Sequence, residues 1–246
     1  MAYSTIDIGG GANSVGNSTY TAAYTTTDLT NKANASGVLT SFEAYCDTST
    51  HNFKMGTFTI ISTNINDRDY VTWGDLTGGS KQTYTGDNCD VVTDDYIGAY
   101  FDTHNTNLWI NSGGSGVYWV AGDKFGTGDF SGTLNGSYRL TVYATGVTVP
   151  DAPTSVSATD DLTTKVTITW TAGTGETGGH RVYRDGADIS GIVAHNTATY
   201  DDTTGTAGTT YAYTVKAINS AGLSSASSAN NGTRVSGNVA QILVTI

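Results

Sequence analysis

Asn64, Asn66, Asp67 and Asp69 place four oxygen-bearing side chains within six residues, the hard ligand type that calcium selects. Arg68 interrupts the run, and no turn glycine or trailing glutamate completes an EF-hand loop. A solvated loop therefore competes with a calcium site, and calcium is the one cofactor the residues suggest. Three acid pairs, Asp94-Asp95, Asp160-Asp161 and Asp201-Asp202, carry the groups needed for acid–base chemistry. Neighbours on a strand point to opposite faces, however, which suits turn and strand-end duty better than a shared cleft. His51, His104, His180 and His195 are widely spaced and sit in no metal or catalytic motif, so surface positions are expected of them. No Gly-x-Ser-x-Gly elbow occurs. The glycine runs Gly9-Gly10-Gly11, Gly78-Gly79 and Gly113-Gly114 read as turns, because none follows a strand and opens a helix as a phosphate loop must. The expectation is a protein without catalytic residues.

Binding chemistry is better represented. Trp73, Trp109, Tyr118 and Trp119, with Tyr84, offer rigid apolar faces, some with a polar tip, as stacking on sugar rings requires. The competing demand is that one face of every strand be core. Because Tyr118 and Trp119 are adjacent, one of them must leave that face. At the far end, Val239, Ile242, Val244 and Ile246 belong to a β-prone, nearly uncharged run that would aggregate as an open edge. It is expected to dock on its own chain or to add a strand to a partner subunit. Cys46 and Cys89 are either one bridge or two buried free thiols; two cysteines outside any CxxC pair leave both open.

Composition narrows the partners. Only 13% of the 246 residues are charged, so the polar surface must be built from Thr, Ser, Asn, Gln and Tyr. A net charge of -11 with no basic cluster leaves no footprint for nucleic acid or for anionic membranes. No window approaches the roughly 20 apolar residues of a membrane span. Residues 1–11 show neither the basic nor the apolar region of a secretory leader.

The elements that must position these residues are strands. Short alternating runs recur between clusters of Gly, Asn, Asp and Ser, and no stretch has a 3.6-residue period. Strands are expected at residues 39–46, 55–62, 70–74, 96–102, 117–121 and 138–144, with weaker ones at 19–26, 81–85 and 107–110. In the run 138–144, Tyr138, Leu140, Val142 and Ala144 share one face. Nine or ten strands suit a jelly-roll-like double sheet over residues 1–146. Pro150 and Pro153, both of the prolines in the chain, mark a stiff linker at 147–153. A second sandwich is expected at 154–235, followed by the apolar tail 236–246.

Within that second sandwich, Val166, Ile168 and Trp170 alternate with threonines, Asp185-Gly186 closes a hairpin, and Tyr211 heads a Tyr-x-Tyr-x-Val-x-Ala run. With the Pro-x-x-Pro entry, these residues resemble a fibronectin type III domain of the bacterial and phage kind. The resemblance covers about 85 residues and implies a core tryptophan at Trp170 and a tyrosine corner at Tyr211. Thr204-Gly205-Thr206 stands where that family usually has a leucine. The runs at 31–37, 79–83, 94–100 and 116–122 are similar to an uncharacterised β-domain of phage and metagenomic structural proteins. Together the two resemblances imply an all-β virion component, such as a decoration, head-fibre or tail protein on the virion surface. Its partners would be other virion proteins, copies of itself or cell-surface glycans. The alternative is a secreted bacterial carbohydrate-binding or adhesive module, located outside the cell.

Overall fold

The computed structural model describes residues 5–12, 18–20, 23–102 and 108–237, and these contain strands and turns but no helix. The chain divides into two compact units, one comprising Ser4–Thr148 and the other containing Val149–Ile246.

The first unit begins with β1 (Thr5–Ile8), β2 (Ser18–Tyr20), β3 (Tyr24–Asp28), β4 (Gly37–Tyr45) and β5 (Thr50–Ile61). Next come β6 (Asn64–Leu76), β7 (Lys81–Tyr84), β8 (Cys89–Val91), β9 (Tyr96–Phe101) and β10 (Leu108–Ser112). It ends with β11 (Val117–Ala121), β12 (Phe130–Ser131), β13 (Thr133–Asn135), β14 (Tyr138–Leu140) and β15 (Val142–Thr148). One sheet has the order β1-β15-β4-β7, with β8 also on β4; the facing sheet runs β12-β6-β5-β9-β3-β11-β13. A small third sheet joins β14, β10 and β2. The chain passes between the two large sheets after β3, β4, β6 and β8, so the unit is a sandwich assembled by repeated crossing.

Alternation explains the core. On β9, Ile97, Ala99 and Phe101 point inward and meet Phe53 and Met55 of β5, Leu39 and Phe42 of β4, and Ile6 and Ile8 of β1. Each of the large side chains among these contributes roughly 1.5–3 kcal/mol on leaving water. The even positions of β9 face the other way, and there the large sheet carries a second apolar layer. Gly56 and Gly98 stand opposite each other on β5 and β9, forming a flat floor on which the Phe58 and Phe125 rings lie 5.0 Å apart. Ile65, Tyr100, Tyr118 and Phe130 complete this cluster. It is roofed by residues 122–132, held by Lys54 to Asp123 at 2.6 Å and by the Gly126 amide donating to Asp67 at 2.7 Å.

Two sequence expectations are corrected here. The run 138–144 is two strands: β14 pairs with β10 and β15 with β4 and β1, the chain changing sheets at the buried Thr141. The shared inward face survives, since Leu140, Val142 and Ala144 are all fully buried. The segment containing Asn64 to Asp69 is the start of the long strand β6, not a loop. A bulge at Arg68 lets the strand send Ile65 into the outer apolar cluster and Val71 into the main core, which a solvated loop would not do.

The second unit contains β16 (Thr154–Ala158), β17 (Val166–Thr171), β18 (Gly179–Arg184), β19 (Ala187–Asp188), β20 (Thr199–Asp202), β21 (Thr210–Asn219), β22 (Gly222–Leu223) and β23 (Asn230–Thr233). One sheet is β16-β17-β20 and the other β19-β18-β21, with β22 and β23 on opposite ends of the free edge of β21. Val166, Ile168 and Trp170 from the first sheet pack on Val182, Tyr213 and Val215 from the second. Asp185 and Gly186, with φ of 47° and 84°, form the left-handed pair that closes the β18–β19 hairpin. Between β22 and β23 serine hydroxyls replace backbone carbonyls as acceptors. The amides of Ala217 and Val215 donate to Ser224 Oγ at 2.9 Å and Ser227 Oγ at 3.0 Å. The same two serines return their own amides to the Ala217 and Val215 carbonyls.

Candidate functional site

The two large sheets of the first unit meet along a seam on one side, where β7 borders one sheet and β6 lies near the rim of the other. Trp73 from β6 and Tyr84 from β7 meet across it, ring centroids 5.4 Å apart and planes tilted by 42°. Behind them Trp73 is edge-on to Phe53 at 5.5 Å, and Tyr84 approaches Phe42 at 6.4 Å. Both outer rings are partly buried, their inner surfaces sealing the core. The Tyr84 hydroxyl donates to Asp87, and this hydrogen bond raises its pKa and keeps the phenol neutral. Gly86 keeps the hydroxyl approachable, for a Cβ there would stand 2.8 Å from it. The Lys81–Glu43 ion pair, 2.9 Å long, anchors β7 to its neighbour β4. This edge can stack on an apolar ring face and accept hydrogen bonds from hydroxyl groups beside it.

The stacking candidates named from sequence do not share one platform. Trp119 packs on Tyr24 at 4.9 Å against the main core, whereas its neighbour Tyr118 turns to the outer cluster of Phe58 and Phe125. The residue forced off the core face is thus covered by its own chain. Trp109 sits in β10, and its side chain lies outside the described residues. Trp73 finds its ring partner in Tyr84, and Asp87, which sequence reasoning missed, supplies the acceptor. A signal existed in the acid placed three residues after an aromatic strand end.

The oxygen-rich run is not gathered around a point. Asn66 donates to Asp129, Asp67 accepts from Gly126, and Asp69 accepts from the amides of Tyr70 and Asp90. No group of three or more His, Cys, Asp or Glu side chains suited to a metal occurs among the described residues. Each acid is held by a different element, and the calcium arrangement is not formed.

Two of the paired acids do more than terminate strands. Asp95 is buried and accepts both arms of Arg68, at 2.5 and 3.0 Å, together with the Val92 amide at 2.7 Å. In the second unit buried Asp202 accepts from Arg184, Tyr213, and the amide and hydroxyl of Thr204, all at 2.7–2.8 Å. Burial works against ionisation of Asp202, but these hydrogen bonds outweigh it and hold the carboxyl below its ordinary range. Their exposed neighbours differ: Asp94 pairs with Lys32 at 3.6 Å and Asp201 with Lys165 at 2.7 Å. Asp201 and Asp202 divide these duties because adjacent residues of β20 face opposite ways, whereas Asp94 and Asp95 divide them within the turn before β9.

Cys46 and Cys89 are both free and buried. Cys89 stands opposite Leu39 on β4, and Cys46 follows seven residues after Leu39. At about 3.3 Å per residue they are roughly 23 Å apart, far beyond disulfide reach. Burial pushes both thiols up to about 12. The intact mass is expected to be unchanged by reductant, and an aromatic disulfide reagent is expected to react only after denaturation. Rapid titration of either thiol in the folded protein would contradict this placement.

Trp170 is core, 6% exposed. The Tyr211 hydroxyl accepts from the Thr206 amide at 3.2 Å, five residues upstream, as a corner tyrosine does. His180, expected at the surface, is buried at 1% exposure because it lies on the inward side of β18 against Trp170. His51 and His195 are half-exposed and pair with Asp75 and Glu176 at 2.9 and 2.8 Å, and His104 lies outside the described residues. Val239, Ile242, Val244 and Ile246 also lie outside them.

No family model matches the chain. It is 42% identical over 84 residues to exoglucanase B of Cellulomonas fimi, a match covering 33% of this chain and 7% of that protein. The chain thus spans well under a tenth of the length of that relative. Among solved structures, an Fn3-like protein from Clostridium thermocellum is 27% identical with a TM-score of 0.30, covering 35% of this chain and 94% of its own. A β-1,2-glucanase from Parabacteroides distasonis is 13% identical with a TM-score of 0.32, covering 86% of this chain and 30% of its own. The three-stranded and five-stranded sheets, the core tryptophan and the tyrosine corner give residues 154–233 of this chain a fibronectin type III-like sandwich fold.

Proposed function

We propose that this chain is a non-catalytic accessory module of an extracellular carbohydrate-acting system, in which the first sandwich binds a glycan and the fibronectin type III domain serves as a spacer. The observation that carries this reading is the match to an exoglucanase, which favours the secreted alternative over the virion one. The partly buried Trp73–Tyr84 pair with Asp87 supplies a suitable surface. The buried carboxylates give no support to hydrolysis: Asp95 and Asp202 are each committed to an arginine and further donors.

The test is retention of the chain on insoluble β-glucans and on a glycan array. Tyr84→Ala is expected to weaken retention on the order of thirtyfold, as loss of an aromatic anchor worth ~2 kcal/mol would. Trp73→Ala should do the same, with folding checked by circular dichroism because Trp73 also packs on Phe53. Failure to bind any glycan, or symmetric self-assembly of the chain with no glycan retention, would return the virion reading to first place.

A further inference from the structure

One histidine of the second unit is built into the fold in a way the spacer role does not use. The His180 ring is fully enclosed, lies edge-on to Trp170 at 5.2 Å, and neither of its nitrogens has a hydrogen-bonding partner among the described residues. On one side β18 pairs with β21, His180 opposite Ala217. On the other, residues 189–197 lie along β18 as a strap. The strap is fastened by reciprocal bonds between His180 and Val193, at 2.9 and 2.8 Å. Ile189 donates to the Val182 carbonyl at 3.0 Å, and the Val182 amide donates to Ser190 Oγ at 2.8 Å. Tyr200 holds the strap from the facing sheet by a bond to the Ile189 carbonyl at 2.7 Å.

The titratable groups facing the His180 ring are Glu176, from the loop before β18, and His195, from the strap itself. Glu176 is already engaged, its nearly buried carboxylate taking the Gly179 amide at 2.5 Å and His195 Nδ1 at 2.8 Å. The other elements against the ring, β17 and β21, bring Trp170 and Ala217. A proton placed on His180 therefore meets an apolar wall and an occupied carboxylate.

We propose that His180 is an acid-operated latch: when it takes up a proton, the strap of residues 189–197 lifts from β18 so that the imidazolium reaches water, and the backbone edge of β18 is laid open. Burial lowers the His180 pKa from its ordinary value. The sign follows from that. A base whose pKa is depressed in the closed form favours closure above about pH 6.5 and loses that contribution as the pH falls below it. One proton taken up per opening makes the opening constant rise about tenfold per pH unit below ~6.5, until the pH reaches the closed-state pKa. Lifting the strap also frees the backbone groups of His180 and Val182, an edge of the kind that accepts an added strand.

The experiment is native-state hydrogen exchange on the full chain between pH 7.5 and 5. Protection factors of the Val193 and His180 amides are expected to fall about tenfold per unit below pH 6.5. The Val215 amide, held within the other edge, should change far less. His180→Phe should flatten the profile, and His195→Gln should leave its slope in place. Should His180→Phe fail to fold, the ring of His180 in the wild-type chain can be titrated by NMR. An equal slope in His180→Phe, or a His180 ring that titrates near pH 6.5 with the Val193 amide still protected, would overturn the latch. The latch does not depend on the glycan reading.

Discussion

Asp202→Ala is expected to destabilise the fibronectin type III-like unit by about 3 kcal/mol, lowering its melting temperature by roughly 12–24 °C. The carboxylate is the common acceptor for Arg184, Tyr213 and Thr204, and it is buried. Removing it leaves the Tyr213 hydroxyl enclosed without its acceptor and a guanidinium without its anion. The cost of such orphaned groups exceeds the net worth of the bonds themselves. Tyr213→Phe removes one donor and its need together, so a loss nearer 1 kcal/mol is expected. The network also dictates a pH dependence. Because the Asp202 carboxyl is held below its ordinary range, its contribution is complete above about pH 4 and is lost as the pH falls through the folded value. Thermal melts of wild type and Asp202→Ala at pH 7 and pH 3 check both points. A difference below 1 kcal/mol at pH 7, or one that fails to shrink at pH 3, would remove Asp202 from its central place.

Gly98→Ala should cost the first unit more than 4 kcal/mol, an exceptional penalty for one added methyl group. A Cβ on Gly98 would stand 2.1 Å from the Thr26 carbonyl oxygen and 2.5 Å from the Phe58 ring. The first contact is with backbone in a neighbouring strand and has no rotamer through which to escape. Gly56 is equally confined, by the Asp69 carbonyl at 2.4 Å and the Phe125 ring at 2.7 Å. The aromatic rings thus compensate strand glycines by covering the backbone that those glycines leave bare. Gly136→Ala is the control, since nothing stands within 4 Å of its added Cβ. Urea titration of the three proteins separates the cases. Phe58→Ala in the Gly98→Ala background should restore little, because the backbone clash remains. Near-wild-type stability of Gly98→Ala would show that β9 and β3 can move apart.

The all-β class and the second unit were legible because their alternation is regular. Val166, Ile168 and Trp170 point inward as read, and the Asp185-Gly186 turn falls where its φ angles demand. The missing leucine at Thr204-Gly205-Thr206 was visible as a departure, but not its replacement. That requires Arg184 and Asp202, eighteen residues apart, to meet beside Tyr211. In the first unit the short strand β8 was missed because three residues show no period, and β1 because glycines follow it at once. The second apolar layer was hidden for a different reason. Gly56 and Gly98 carry no hydrophobic signal, yet their bareness is what admits Phe58 and Phe125. Likewise Trp73 and Tyr84 were both noticed as aromatics, while their pairing depends on two sheet rims converging, which no local pattern encodes.

The strand order of the first unit has a consequence for its birth on the ribosome. β15, the last strand made, lies between β1, the first, and β4. Until Thr148 has cleared the exit tunnel, that sheet has a vacancy near its middle, and Ile6, Leu39 and Phe42 lack the strand that joins their two halves. The nascent unit must wait with apolar surface uncovered, and its final act is an insertion between strands already in place. Synthesis rate and chaperone capture thus bear on how this unit closes.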